Sequence, residues 1–143
     1  MQSEADIQPS LVVLPHRVRL IVSSLSITFL AFRAWLHHFP NTDLNVGPYN
    51  IHHLFTGILL ITLCGIPLAI FQGRNRWLDF AALGFGVGLS LALDEWVFLI
   101  ATDGSNASYL LRVSLWGGAI MVGSSCLYTA LLWLSNRANK RHH

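Results

Sequence analysis

The chain has 143 residues, of which 53% are hydrophobic and only 11% charged. Soluble domains carry about a quarter charged residues, so the composition excludes an ordinary water-soluble globule. The formal charge of +2 is too small, and the basic residues too scattered, for nucleic acid binding. The two cysteines, Cys64 and Cys126, each lie inside an apolar run, which excludes a disulfide framework. A chain of this length is one domain, and four helices of about 20 residues with short connections fill it.

Residues 1–15 are polar, with Glu4, Asp6, Pro9 and Pro15, and are predicted to form a short, mobile cytoplasmic arm. The first apolar run, 20–32, follows Arg17 and Arg19 and superficially resembles a signal peptide. Arg33, Trp35, His37 and His38 stand where a small-x-small cleavage site would lie, so the prediction is a membrane helix over 18–38, ended by Pro40. A second helix is predicted over 51–71, with Pro67 kinking its end. A third is predicted over 77–101. The fourth is expected over 109–136, because no charge occurs from Val113 to Asn136. The single four-helix transmembrane domain then occupies 16–137, followed by a basic cytoplasmic tail at 138–143.

Orientation follows from the positive-inside rule. Arg17, Arg19, Arg74, Arg76, Arg137, Lys140 and Arg141 all flank one side of a four-crossing chain, and the 39–50 and 102–108 loops contain no Lys or Arg. Both termini are therefore expected in the cytoplasm. Trp35, Tyr49 and Trp96 near the outer interface, with Trp77 and Trp133 near the inner one, match an aromatic belt. The expected fold class is all-α, a four-helix transmembrane bundle in the cell (inner) membrane.

This topology gathers ionisable groups at the outer end. His37 and His38 end the first helix, His52 and His53 begin the second, Asp94 and Glu95 lie inside the third, and Arg112 begins the fourth. Charges at membrane depth cost several kcal/mol unless paired, solvated or metal-bound, which marks the group as a candidate site. Helical phase puts Glu95 on one face with Leu91, Gly88 and Gly84, and small residues four apart let membrane helices approach closely. The same arithmetic puts His53 with Gly57, Leu60 and Cys64, and Arg112 with Trp116, Ala119 and Gly123. His53, Glu95 and Arg112 are thus expected to point to a common interior, with Gly57, Gly84, Gly88, Ala119 and Gly123 as packing positions. Asp94 is turned by about 100° from Glu95, and His52 likewise from His53, so each pair can address two neighbours but not one atom.

Imidazole and carboxylate suit Zn, Fe or Mn, which makes His52, His53, Asp94, Glu95, His37 and His38 candidate metal ligands, although the spacings of strong metal motifs are missing. The competing reading is an ion-pair network in which Arg112, with Arg33, neutralises the carboxylates. Haem held by one of these histidines is the weaker cofactor reading. Arg33, one turn before His37, is expected to snorkel outward in preference to a buried pair. Asp43 and Asp103 read as solvated turn residues, Cys64 and Cys126 as small packing residues, and Asn106 to Ser108 as a glycosylation acceptor unused in a bacterial chain. Ser114, two residues past Arg112, is an alternative candidate nucleophile with no positioned base, and His142 and His143 indicate nothing specific.

Ile51, His52 and His53 leading to Gly57, together with Gly84, Gly86 and Gly88 leading to Leu93, Asp94 and Glu95, resemble a family of small bacterial four-helix integral membrane proteins with IHHxxxG and GxG...LDE motifs. The resemblance covers about residues 51–125 and implies an inner-membrane location. It implies that His52, His53, Asp94, Glu95 and Arg112 act as a unit, and it supplies no activity. The chain departs from that pattern after the acidic pair, where Asp103 is the only acidic or histidine residue in the loop. Three functions follow from the residues: a structural or accessory membrane subunit with a protein partner or a second copy of itself, a membrane-embedded metal-binding protein or metalloenzyme at the outer face, and an ion or proton transport component. The lipid bilayer is the expected partner in all three, and whether the chain is an enzyme stays open.

Overall fold

The computed structural model describes residues 14–39, 45–46, 49–50 and 52–139. Most of the predicted arm, most of the 39–50 loop including Asp43, and the end of the tail including His142 and His143 lie outside them. The order is α1 (Pro15–His38), β1 (Asn45–Val46), β2 (Tyr49–Asn50), α2 (His53–Ile70), α3 (Arg76–Ala101), α4 (Asn106–Tyr109) and α5 (Arg112–Asn139). The two strands pair antiparallel, Asn45 with Asn50 and Val46 with Tyr49. Four helices, α1, α2, α3 and α5, are long and apolar enough to cross a membrane. At 18 residues α2 is about 27 Å long, just short of the hydrocarbon width, whereas α3 and α5, at 26 and 28 residues, must tilt or overhang.

Local chemistry sets the helix ends. Pro15 opens α1 at a position where a missing N–H costs nothing. Between α2 and α3 the chain turns through Gly73 at φ 100, and the Asn75 side chain caps α3 by accepting from the Trp77 N–H at 3.0 Å. After α3, Gly104 turns at φ 74 and Ser105 caps α4.

The predicted fourth helix is broken, which corrects its start. Residues 106–109 form a separate turn of helix, the chain bends at Leu110 and Leu111, and α5 starts at Arg112. The break turns the Tyr109 side chain inward, where it is 7% exposed.

The helices are not arranged as a square. α3 is central and packs against α1, α2 and α5, α1 also touches α5, and α2 leans chiefly on α3. The core lies on the α1–α3–α5 side, where Leu25, Phe29, Leu93 and Val122 form one cluster and Leu36, Phe98 and Tyr109 another. Small residues set the crossings. A Cβ on Gly88 would lie 2.7 Å from the Leu60 Cβ and 2.8 Å from the Gly57 carbonyl oxygen, so α2 and α3 meet nearly backbone to backbone. A Cβ on Gly86 would meet the Ile21 carbonyl oxygen of α1 at 2.6 Å. Large apolar side chains such as Ile100, 73% exposed, and Leu127, 61% exposed, face outward, which is consistent with lipid contact.

At the end where α1 and α3 both begin, Asp79 accepts from Arg17 Nε at 3.2 Å and pairs with His16 Nε2 at 2.8 Å. Arg17 Nη2 also donates to the Gly73 carbonyl at 2.5 Å, tying the α2–α3 turn to α1.

Candidate functional site

The opposite end of the bundle holds a buried polar cluster around Asp94 and Glu95, which are 2% and 1% exposed. Because they are consecutive on α3, they address different neighbours.

Asp94 faces α1 and α5. Arg33 of α1 donates to Asp94 Oδ1 from Nε at 2.7 Å and lies 2.6 Å away through Nη2. Arg33 Nη1 also donates to the Tyr109 carbonyl at 3.1 Å, and Nη2 to the Ser114 carbonyl and hydroxyl at 3.0 and 3.1 Å. Arg33 therefore also satisfies the Tyr109 carbonyl, freed by the break between α4 and α5. The Tyr109 hydroxyl donates to the second Asp94 oxygen, Oδ2, and its ring lies 4.1 Å from the Arg33 guanidinium carbon. Burial, then the Asp94 charge, raises the Tyr109 phenol above its ordinary value and keeps it a donor. Gly118 makes room, since a Cβ there would stand 2.6 Å from Asp94 Oδ1.

Glu95 faces α2. That helix has no side-chain cap from its own His52 and no acidic residue in its first turn. Glu95 supplies the missing acceptor from α3: Oε2 accepts from the Leu54 N–H at 2.5 Å, and Oε1 lies 2.6 Å from His52 Nδ1. His53 stands between the two halves, with Nδ1 3.3 Å from Glu95 Oε2 and Nε2 3.5 Å from Asp94 Oδ2. Its ring packs against Phe32 and Tyr109, and its Nε2 is buried without a hydrogen bond.

The structure thus brings together His52, His53, Asp94, Glu95 and Arg33. Arg112 does not join them. It is exposed, as is Trp116 on the same face, and nothing lies within 4 Å of where a Gly123 Cβ would stand. The buried stripe of α5 is instead Ser114, Gly118 and Val122, while Ala119 packs at the edge of the core. Arg33 is the cation at Asp94, where outward snorkelling was expected; just past the apolar run of α1, its guanidinium finds its acceptors inward. Tyr109 was missed, since a tyrosine at the predicted start of a membrane helix reads as an interface residue. His37 and His38 are exposed with ring centroids 5.7 Å apart, and no described hydrogen bond or ion pair links them to either carboxylate.

Among the described residues no group of three or more His, Cys, Asp or Glu side chains is placed to hold a metal ion. The reason is visible in the donors: Asp94 is taken by a guanidinium and a phenol, and Glu95 by an amide N–H and an imidazole. Ser114 is fully buried under Arg33, which removes it as a nucleophile. Asp103 is the exposed turn residue expected; the Ser108 hydroxyl, followed by the Ser105 N–H and hydroxyl, holds its carboxyl down to about 2. No family model matches the chain, and no curated protein and no solved structure matches it.

Proposed function

We propose that this chain is a multi-pass protein of the cell membrane, with both termini cytoplasmic and the Asp94–Glu95 end outward, acting as a structural or accessory subunit whose polar cluster locks its helices together. One observation carries the reading: each oxygen of Asp94 and Glu95 already has a partner within the chain. A buried network in which both carboxylates are fully engaged fixes the relative position of helices and leaves neither carboxylate free as a ligand. The absence of Lys and Arg from the 102–108 connection, against Arg17, Arg74, Arg76 and Arg137 at the other end, supports the orientation. The outward apolar faces of α2 and α5 suit lipid, a partner helix or a second copy of the chain.

The second reading, a metal-binding protein, draws on the buried and unpartnered His53 Nε2. Elemental analysis by plasma mass spectrometry, on protein purified without a metal-affinity step, separates the two. The lock predicts no stoichiometric Zn, Fe or Mn. Near-stoichiometric metal that disappears in the His53→Ala, Glu95→Ala double variant would contradict it.

A further inference from the structure

The end of the bundle where α1 and α3 begin carries an excess of positive charge. Arg17, Arg19, Arg74, Arg76 and Arg137 stand there against one described carboxylate, Asp79, which Arg17 and His16 already hold. Arg137 lies over the Trp133 ring, its guanidinium carbon 4.6 Å from the centroid. Arg74 and Arg76 differ from both: they are exposed, and neither has a hydrogen bond, an ion pair or a stacked ring among the described residues. They flank Asn75 in the α2–α3 turn, so their Cα atoms are at most about 7 Å apart.

The turn that carries them is held in place from α1, because Arg17 Nη2 donates to the Gly73 carbonyl at 2.5 Å and Arg17 Nε engages Asp79. With Asp79 occupied, no acid of the first turn of α3 draws the two guanidinium groups back onto the helix. The positive end of the α3 dipole falls on the same turn. The space beside it is open, since nothing lies within 4 Å of where a Gly73 Cβ would stand. Around the turn the exposed side chains are apolar: Phe71, Phe80 and Trp77, the last 79% exposed. A ligand matching this surface needs an anion for the guanidinium forks and hydrocarbon for the rings; inorganic phosphate has only the first, and an apolar partner helix only the second. We infer that the α2–α3 turn binds an anionic phospholipid, its headgroup phosphate held by Arg74 and Arg76 and its acyl chains against the apolar side chains beside them. Arginine suits this role because its planar fork meets a phosphate through two hydrogen bonds, and an exposed tryptophan settles at headgroup depth.

This inference rests on the chain being a membrane protein and is independent of the polar lock. Protein in neutral detergent is titrated with phosphatidylglycerol and with phosphatidylcholine of the same acyl chains, and bound lipids are counted by native mass spectrometry. The proteins compared are wild type, the Arg74→Gln, Arg76→Gln double variant, and Arg112→Gln, which removes an exposed arginine at the opposite end. Wild type is expected to take phosphatidylglycerol in preference to phosphatidylcholine. The double variant should lose about tenfold or more of that affinity, at roughly fivefold for each arginine, while Arg112→Gln binds as wild type does. Equal binding of the two lipids by wild type, a double variant that keeps its affinity, or the same loss in Arg112→Gln overturns the site. Displacement of phosphatidylglycerol by millimolar inorganic phosphate also overturns it, because the turn would then be a site for free anions. If wild type retains neither lipid and stays dispersed without detergent, the membrane reading fails together with this inference. Should the double variant not fold, wild type is cross-linked to phosphatidylglycerol bearing photoreactive acyl chains and the adducts are mapped. Adducts concentrated on residues 70–80 support the site, and adducts spread evenly around the bundle or gathered at the other end refute it.

Discussion

Tyr109 shows what a single side chain contributes here. Its ring lies over the guanidinium of Arg33 and its hydroxyl completes the shell of Asp94, a carboxylate 2% exposed. Tyr109→Phe keeps the ring and removes only the donor, leaving the buried carboxylate short of one partner, which costs about 1–3 kcal/mol. The unfolded chain releases a tyrosine proton at about pH 10, whereas burial and Asp94 make the folded chain hold it to higher pH. The Tyr109 contribution to stability is therefore complete below that pH and fades above it. Ultraviolet titration checks this: folded wild type and Tyr109→Phe should release the same number of phenolic protons, and an extra proton released by folded wild type would show that Tyr109 is exposed. The acidic pair and the histidine pair were legible in the sequence because charges inside apolar runs are costly. Arg112 was misread because a charge at a helix start was taken to point inward, whereas it lies with Trp116 on the exposed face of α5.

The elements meet through glycines. The stripe Gly84, Gly88 on α3 was readable from its spacing of four, and a side chain on Gly57 or Gly88 would collide with the facing backbone. The stripe Gly123, Ala119 was assigned by the same arithmetic from Arg112, yet Gly123 faces open space. Spacing shows that a helix has a face of small residues, but only contact shows which face is buried. A paired substitution makes the distinction measurable. Gly88→Ala forces α2 and α3 apart at about 1–3 kcal/mol. Gly123→Ala should leave stability unchanged or raise it by about 0.5–1 kcal/mol, the gain of Ala over Gly within a helix. Thermal unfolding of the two variants side by side gives the answer, and equal destabilisation would contradict the crossing at Gly88. The break between α4 and α5 was not legible, since neither Gly nor Pro marks residues 106–112 and the uncharged run gives no sign of a bend.

For the molecule as a whole, hydropathy was sufficient to give four helices long and apolar enough to cross a membrane, because the bilayer sets that length. The arrangement of three helices around α3 was not, since nearly every residue of a membrane helix is apolar whether it faces lipid or protein. The architecture depends on polar fastenings at the two ends: Asp79 with His16 and Arg17 at one, and at the other Asp94 and Glu95 with residues of α1, α4 and the start of α2, Arg33 extending the network to Ser114 of α5. α2, which buries little beyond Gly57, depends most on the Glu95 cap, while α1 and α5 are joined through Arg33 and Asp94. The measurement that tests this most directly is the global stability, in lipid nanodiscs, of Arg33→Met, Asp94→Leu and the double variant. Removing either partner strands the other as a buried charge and should cost about 3–5 kcal/mol, whereas removing both should restore most of that loss. Single variants as stable as wild type, or a double variant whose losses simply add, would contradict a buried ion pair at the Asp94 end of the bundle.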